Sequence, residues 1–185
     1  MSPQLSVRGK VLVALGANCP GPWGRPAETI ACALGKIEDA NIRVCAVSPL
    51  YETRAVGNAR QPAYVNAVAL LDTTLSAESL LRVLKAIERD SGRRGGRPWG
   101  QRTLDIDIVD YKGLIRHWSG GAAEFARAGA RPQVLPHPLA HRRLFVLKPL
   151  MDIAPDWRHP VLKVNAAELW RLATKRGEGA VIKRL

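Results

Sequence analysis

No G-x-x-x-x-G-K-[ST] occurs in the 185 residues, so the chain is not a P-loop enzyme. No G-x-S-x-G occurs, and no Ser or Cys has a His partner in a triad pattern. Cysteine is scarce: Cys19, Cys32 and Cys45 are scattered, odd in number and form no C-x-x-C. That excludes zinc-ligand spacing and a disulfide framework, and reads as buried or half-buried residues in a reducing compartment. Of the four histidines only His137 and His141 are close. Pro138 argues against i,i+4 ligation by that pair on a continuous helix, and His141 reads as a surface residue. No apolar run approaches the length of a membrane span. The stretch Val11-Leu12-Val13-Ala14-Leu15-Gly16-Ala17 follows Arg8 and Lys10 as a signal peptide would, but it is short and Leu15 breaks the small-x-small pattern. It reads as a buried first strand, and the expected location is cytoplasmic. Acidic residues are also few, 16 against 28 Lys and Arg, which leaves a net charge of +12 and points to an anionic ligand.

The length suits a single domain with a sizeable core, and no internal repeat or boundary divides it. Val11 to Leu15 is a central-strand run ended by Gly16. A Gly/Pro loop follows, and Pro26 opens a helix to about Ala40 with Ile30, Ala33, Leu34 and Ile37 on one face. Ile42 to Tyr51 reads as a strand, Glu52 to Pro62 as a loop that could line a site, and Tyr64 to Leu71 as the partner of an antiparallel pair. Ser76 caps a second helix, whose stripe of Leu80, Leu81, Leu84 and Ile87 runs to about Asp90. Gly92 to Gly100 is a second loop, and Leu104 to Tyr111 a strand. The order β-α-β-β-α-β is the ferredoxin-like plan: an α+β fold, an antiparallel sheet with helices on one face. A less regular C-terminal extension follows, with short helices at Arg143 to Asp152 and Ala166 to Thr174. Lys112 to Pro132 reads as a poorly ordered insertion.

The chemistry concentrates in Arg97-Pro98-Trp99-Gly100-Gln101-Arg102-Thr103-Leu104-Asp105-Ile106-Asp107-Ile108-Val109. On a strand Asp105 and Asp107 share a face, while Leu104, Ile106 and Ile108 take the other. Paired carboxylates suit a site that supplies a cation, and Mg²⁺ takes one or two of them together with waters and phosphates. Arg93, Arg94, Arg97 and Arg102 lie alongside as phosphate-gripping cations. Together they suggest phosphoryl chemistry on a nucleotide. The bland alternative is an edge strand with a solvated face beside a basic loop, and the arginine cluster with Trp99 weighs against it. Trp99 is either a core plug or a ring stacking on a planar ligand. Tyr64 and Asn66 share a strand face and could read a heterocycle edge, or could simply face solvent. Glu88, an acid near a helix C-terminus, is either paired with an Arg or turned to the site. Phe145 reads as core.

These residues recur in a recognisable order: Val13-Ala14-Leu15-Gly16-Ala17-Asn18, Tyr51-Glu52-Thr53, Gln61-Pro62-Ala63-Tyr64-Val65-Asn66-Ala67, Trp99 to Asp107, Leu135-Pro136-His137-Pro138 and Arg143-Leu144-Phe145-Val146-Leu147. Over about residues 11 to 157 the chain resembles the 6-hydroxymethyl-7,8-dihydropterin pyrophosphokinases of folate biosynthesis. The resemblance implies transfer of pyrophosphate from ATP to the pterin hydroxymethyl group, leaving AMP, with two Mg²⁺ ions held by Asp105 and Asp107. It implies catalytic roles for Arg93, Arg102, Asp105 and Asp107. ATP would be bound by Glu88, Arg94, Arg97, Trp99, Arg102, Ile108, His137 and Arg143. The pterin would lie between Tyr64 and Phe145, with Thr53, Arg54, Ala55, Val56, Asn66 and Trp99 around it. The family's R-x-R-x-x-R-W appears here as Arg93-Arg94-Gly95-Gly96-Arg97-Pro98-Trp99, with its second and third arginines each displaced by one position. Gln101 and Ala55 replace family prolines, and the stretch from 112 to 134 is longer than usual.

Two rivals remain at this level. An RNA-recognition module shares the β-α-β-β-α-β plan and would use the positive charge, but the strands lack its aromatic signature. A silent family member would bind without turnover, against which stand Arg102, Asp105 and Asp107. The expected partners are therefore ATP and the pterin, with neither nucleic acid nor membrane, acting on a monomer.

Overall fold

The computed structural model describes residues 7–56, 61–93, 101–120, 132–175 and 180–185. Its frame is an antiparallel sheet. β1 (Val11–Ala17) lies at the centre, between β4 (Tyr64–Asp72) and β5 (Asp105–Tyr111). β4 also pairs with β2 (Arg43–Val47) and β3 (Tyr51–Thr53), and β6 (Val181–Arg184) pairs with β3. The ferredoxin-like order of strands and helices is present, with α1 (Pro26–Asp39) and α2 (Ala77–Asp90) in the two crossovers.

α1 starts at Pro26, whose missing N–H costs nothing at a helix N-terminus, and the Glu28 side chain accepts from the Arg25 N–H at 2.7 Å. α2 starts at Ser76, whose hydroxyl accepts from the Ser79 N–H. Ile30, Ala33 and Ile37 of α1 and Leu80, Leu84 and Ile87 of α2 pack on Val11, Val13 and Leu15 of β1 and on Ile106 and Ile108 of β5.

Several features differ from the reading of the sequence. First, the run Ile42 to Tyr51 is not one strand. It breaks between β2 and β3 at Pro49, which has no N–H for the ladder. The Ser48 hydroxyl there accepts from the Val68 N–H at 3.0 Å. Second, α1 and α2 share one face as the ferredoxin-like plan expects, and the C-terminal extension covers the other. α3 (Leu144–Ile153) and α4 (Ala166–Thr174) lie on the face opposite α1 and α2, packing Leu144, Leu147, Leu150 and Leu169 on Leu12, Val68, Leu70 and Val109. Strand alternation therefore supplies two cores. β6 was not foreseen at all, being short, largely exposed and basic.

Third, the near flank of the expected insertion is tied down. Arg116 and Leu135 exchange backbone hydrogen bonds of 2.8 and 2.9 Å, and Trp118 packs edge-on against His141 and His159. His141 is thus half-buried among rings rather than at the surface. Residues 121–131 of the same stretch lie outside the described residues. All three cysteines are free and half-buried. Among the described residues no helix is long and apolar enough to cross a membrane.

His159 is fully buried under this cluster, its Nδ1 accepting from the N–H groups of Val161 and Leu162 at 3.2 Å. Burial, and then His141, push its pKa down to about 4. As pH falls below the ordinary histidine value the unfolded chain takes up a proton that the folded chain refuses, so stability is lost between about pH 6.5 and 4. Urea denaturation should show that loss, and His159→Gln should remove most of it, on the order of 2 kcal/mol across that window.

Candidate active site

The site begins with two small residues. Ala14 and Gly16 of β1 line a cleft on the sheet face opposite α1 and α2. Register places Gly16 between Asn66 of β4 and Asp105 of β5, and Ala14 between Val68 and Asp107. No large side chain rises from the central strand, so a hollow remains between Tyr64 and Asn66 on one flank and Asp105 and Asp107 on the other. A Cβ on Gly16 would stand 2.8 Å from Asn66 Oδ1, so a larger residue there would displace the Asn66 amide. The cleft, counted with its open mouth, encloses about 740 Å³.

The Tyr64 flank is closed by Thr53, Arg54 and Val56. Asn66 donates through Nδ2 to Thr53 Oγ1 at 2.7 Å, which leaves its Oδ1 as an acceptor. Burial raises the Tyr64 pKa, keeping a neutral phenol there. Phe145 enters from the start of α3, with the Arg143 guanidinium 5.4 Å from its ring centre. Ring, amide and hydroxyl groups on this flank suit a flat heterocycle with a hydrogen-bonding edge.

The other flank is ionic. Arg93 and Arg102 contact the two oxygens of Asp105 at 2.7 and 2.8 Å. Asp107 Oδ2 lies 3.6 Å from His137 Nε2 and 3.9 Å from Arg143. Burial opposes charge on Asp107, but the Nε2–H of His137 and the cations Lys85, Arg143 and Arg102 outweigh it and hold its pKa below the ordinary value. Burial lowers the His137 pKa, and its Nδ1 accepts from the Leu139 N–H at 3.1 Å. The neutral ring therefore carries its proton on Nε2, toward Asp107.

Arg93 is delivered by the end of α2. Gly92 adopts a positive φ of 85°, the Gly92 N–H bonds to Arg89 O, and the Arg93 N–H bonds to Glu88 O. This is a Schellman stop, which turns the chain out of the helix and into the cleft. Beneath it lies Glu88, 3% exposed. Its carboxylate meets Lys85 Nζ, the Ile106 N–H and the Arg93 guanidinium, each at 2.6 Å. Burial raises the Glu88 pKa against those three donors. Arg93 is itself opposed by burial, yet Asp105 and Glu88 raise its pKa overall.

Thr53, Arg54, Val56, Tyr64, Asn66, Arg102, Asp105, Asp107, Arg143 and Phe145 thus line one cleft, with Ala55 between two of them in sequence. Arg93 and His137 support its acids from the side. Glu88 and Ile108 are not in it. Glu88 is buried below Arg93, and the Ile108 side chain packs under α1 and α2. Arg94, Arg97 and Trp99 lie outside the described residues. Lys85 and Gln61 escaped the sequence reading. Lys85 sits three residues before Glu88, a spacing that reads as an ordinary exposed helix pair. Gln61 carries no signal beyond its place before Pro62 and Tyr64.

Among the described residues no three His, Cys, Asp or Glu side chains converge to cage a metal. Two carboxylates on one wall fit a hard divalent ion that takes its remaining ligands from water and a bound phosphate.

A sequence model of the 7,8-dihydro-6-hydroxymethylpterin-pyrophosphokinase (HPPK) family matches residues 12–155. The chain belongs to this family. It is 42% identical over 152 residues to the Pseudomonas aeruginosa 2-amino-4-hydroxy-6-hydroxymethyldihydropteridine pyrophosphokinase, covering 82% of this chain and 84% of that one. The enzyme of the same name from Synechocystis is 40% identical, with 88% and 80% covered. The folic acid synthesis protein fol1 of Pneumocystis carinii is 35% identical over 85% of this chain, which spans only 19% of that protein. The fold is also that of the Plasmodium falciparum HPPK-DHPS crystal structure, at a TM-score of 0.66 and 14% identity, over 90% of this chain and 43% of that one.

Removing the charge beneath Arg93 should loosen the ionic flank of the cleft. Glu88→Gln keeps the shape but leaves two cations without their carboxylate, and should destabilise the fold by about 2 kcal/mol in urea denaturation. That is less than for a fully enclosed pair, because Lys85 and Arg93 both reach water.

Proposed function

We propose that this cleft binds ATP by its phosphates along the Asp105–Asp107 flank and 6-hydroxymethyl-7,8-dihydropterin along the Tyr64–Asn66 flank, as one unit formed by the whole chain. The chain is a pyrophosphokinase of folate biosynthesis, with ATP as co-substrate and AMP as the product left behind. The observation that carries the assignment of flanks is the row Asn66–Gly16–Asp105, which sets a heterocycle reader and a carboxylate on either side of an empty strand centre.

Asp105 and Asp107 would hold Mg²⁺, two ions being expected, beside the phosphates. Bound there, the metal neutralises charge on the phosphate oxygens. Arg93 and Arg102 balance the charge of Asp105. Their planar forks would also suit phosphate oxygens. Arg143 and the N-terminus of α3 add positive potential on the same side. The pterin ring packs between Tyr64 and Phe145, and Asn66 reads its edge. The hydroxymethyl oxygen bonds to the β-phosphorus, the bond from that phosphorus to the AMP oxygen breaks, and the hydroxyl proton passes to solvent. Positioning and charge neutralisation do most of the work in such an in-line transfer. The expected setting is the cytoplasm and the expected form a monomer.

The test is nucleotide analysis after incubation with ATP, Mg²⁺ and the pterin. AMP formed only with all three present supports the reading, and ADP would overturn it. Asp107→Ala should keep the fold and lower turnover by about 10³-fold, equivalent to about 4 kcal/mol of lost transition-state stabilisation. Undiminished turnover would remove the metal role.

A further inference from the structure

β1 is the central strand, and the residue that follows it stands where its two neighbours enter the sheet. That residue is Asn18, 3% exposed. Before β5 it makes a closed pair with Arg102: the Asn18 N–H donates to Arg102 O at 3.0 Å, and the Arg102 N–H donates to Asn18 Oδ1 at 2.8 Å. Before β4 its Nδ2 donates to Gln61 Oε1 at 3.2 Å and, more weakly, to Pro62 O at 3.4 Å. Gln61 and Arg102 both line the cleft, whereas Asn18 does not. One buried amide therefore spans the segment leading to Tyr64 and Asn66 and the segment leading to Asp105 and Asp107.

The chemistry of the site gives this span a consequence. Arg102 is bonded to Asp105, so nucleotide and metal at that carboxylate act directly on the residue whose backbone Asn18 holds. Gln61 belongs to the segment that runs into the pterin flank. An amide can serve both because it is donor and acceptor at once, and its two ends face opposite ways. A hydrophobic residue of similar size would remove this side-chain acceptor from the Arg102 N–H and the Asn18 contact from Gln61.

We infer that Asn18 is a positioning residue that couples the two substrate flanks, so that nucleotide bound beside Arg102 raises the affinity for pterin beside Gln61. The inference rests on the assignment of flanks made above. By linkage the coupling is reciprocal: the pterin tightens nucleotide by the same factor.

The experiment titrates pterin into the full-length protein by fluorescence, with and without Mg²⁺ and a non-hydrolysable ATP analogue. It compares wild type, Asn18→Ala, Gln61→Ala and the double variant. In the wild type the nucleotide should tighten pterin binding by at least about fivefold, the lower end of ordinary coupling. Asn18→Ala should reduce that factor to about twofold or less while each ligand alone binds within about threefold of wild type. Gln61→Ala should reduce it too, and the double variant no further, because both changes cut one link. Coupling retained in Asn18→Ala, additive losses in the double variant, or no coupling in the wild type would overturn the inference. A general loss of both affinities matching the loss of coupling would also overturn it, leaving Asn18 a merely structural residue. If Asn18→Ala does not fold, Gln61→Ala decides alone, since Gln61 is only half-buried. Failure of the proposed function reads differently: coupling present in binding, but no AMP formed on turnover.

Discussion

Two carboxylates two residues apart on one strand face repel each other, and the groups around Asp105 and Asp107 answer that repulsion. Arg93 and Arg102 bracket Asp105, while Lys85, Arg143 and His137 act on Asp107. Holding Arg93 there requires an anion behind it, which is Glu88, and burying Glu88 requires Lys85 and the Ile106 N–H in turn. The ionic chain thus runs from a helix end through the sheet edge into the cleft. Each member is tolerable only because the next is in place, since a lone buried charge would cost several kcal/mol.

A cleft also needs emptiness, and the sheet supplies it where the repulsion is. A central strand covered by helices on both faces would ordinarily be filled with large side chains on both. β1 follows that rule toward α1 and α2 with Val11, Val13 and Leu15, and on the other face with Leu12 alone. Ala14 and Gly16 complete that second face, and α3 ends its cover at Phe145 and Arg143. The apolar layer under α3 and α4 and the reactive hollow are therefore one surface, divided by the size of the residues on a single strand.

Much of this was legible without coordinates because it depends on short-range periodicity. Strand alternation put Asp105 with Asp107, and Tyr64 with Asn66, on shared faces. Stripes at helical spacing marked α1 and α2, with Pro26 and Ser76 at their starts. The split of β2 from β3 is not legible in the sequence, because apolar β-formers on both sides of Pro49 mask the missing donor. β6 and the aromatic burial of His141 were missed because nothing local announces them: a short basic strand and a His beside Arg142 both read as surface.

By itself the sequence determined the local elements, the sharing of faces and the residue types available for metal, phosphate and heterocycle, since these follow from backbone period and side-chain chemistry. Only the tertiary structure decided which of them meet. It brought β4 and β5 to either side of β1, turned Arg93 inward at Gly92, buried Glu88 beneath it and set Asn18 between two distant segments. Those adjacencies join residues from 43 to 84 positions apart at Asn18 alone. Contacts of that span are chosen by how sheet order and packing close the chain, and no local pattern carries them.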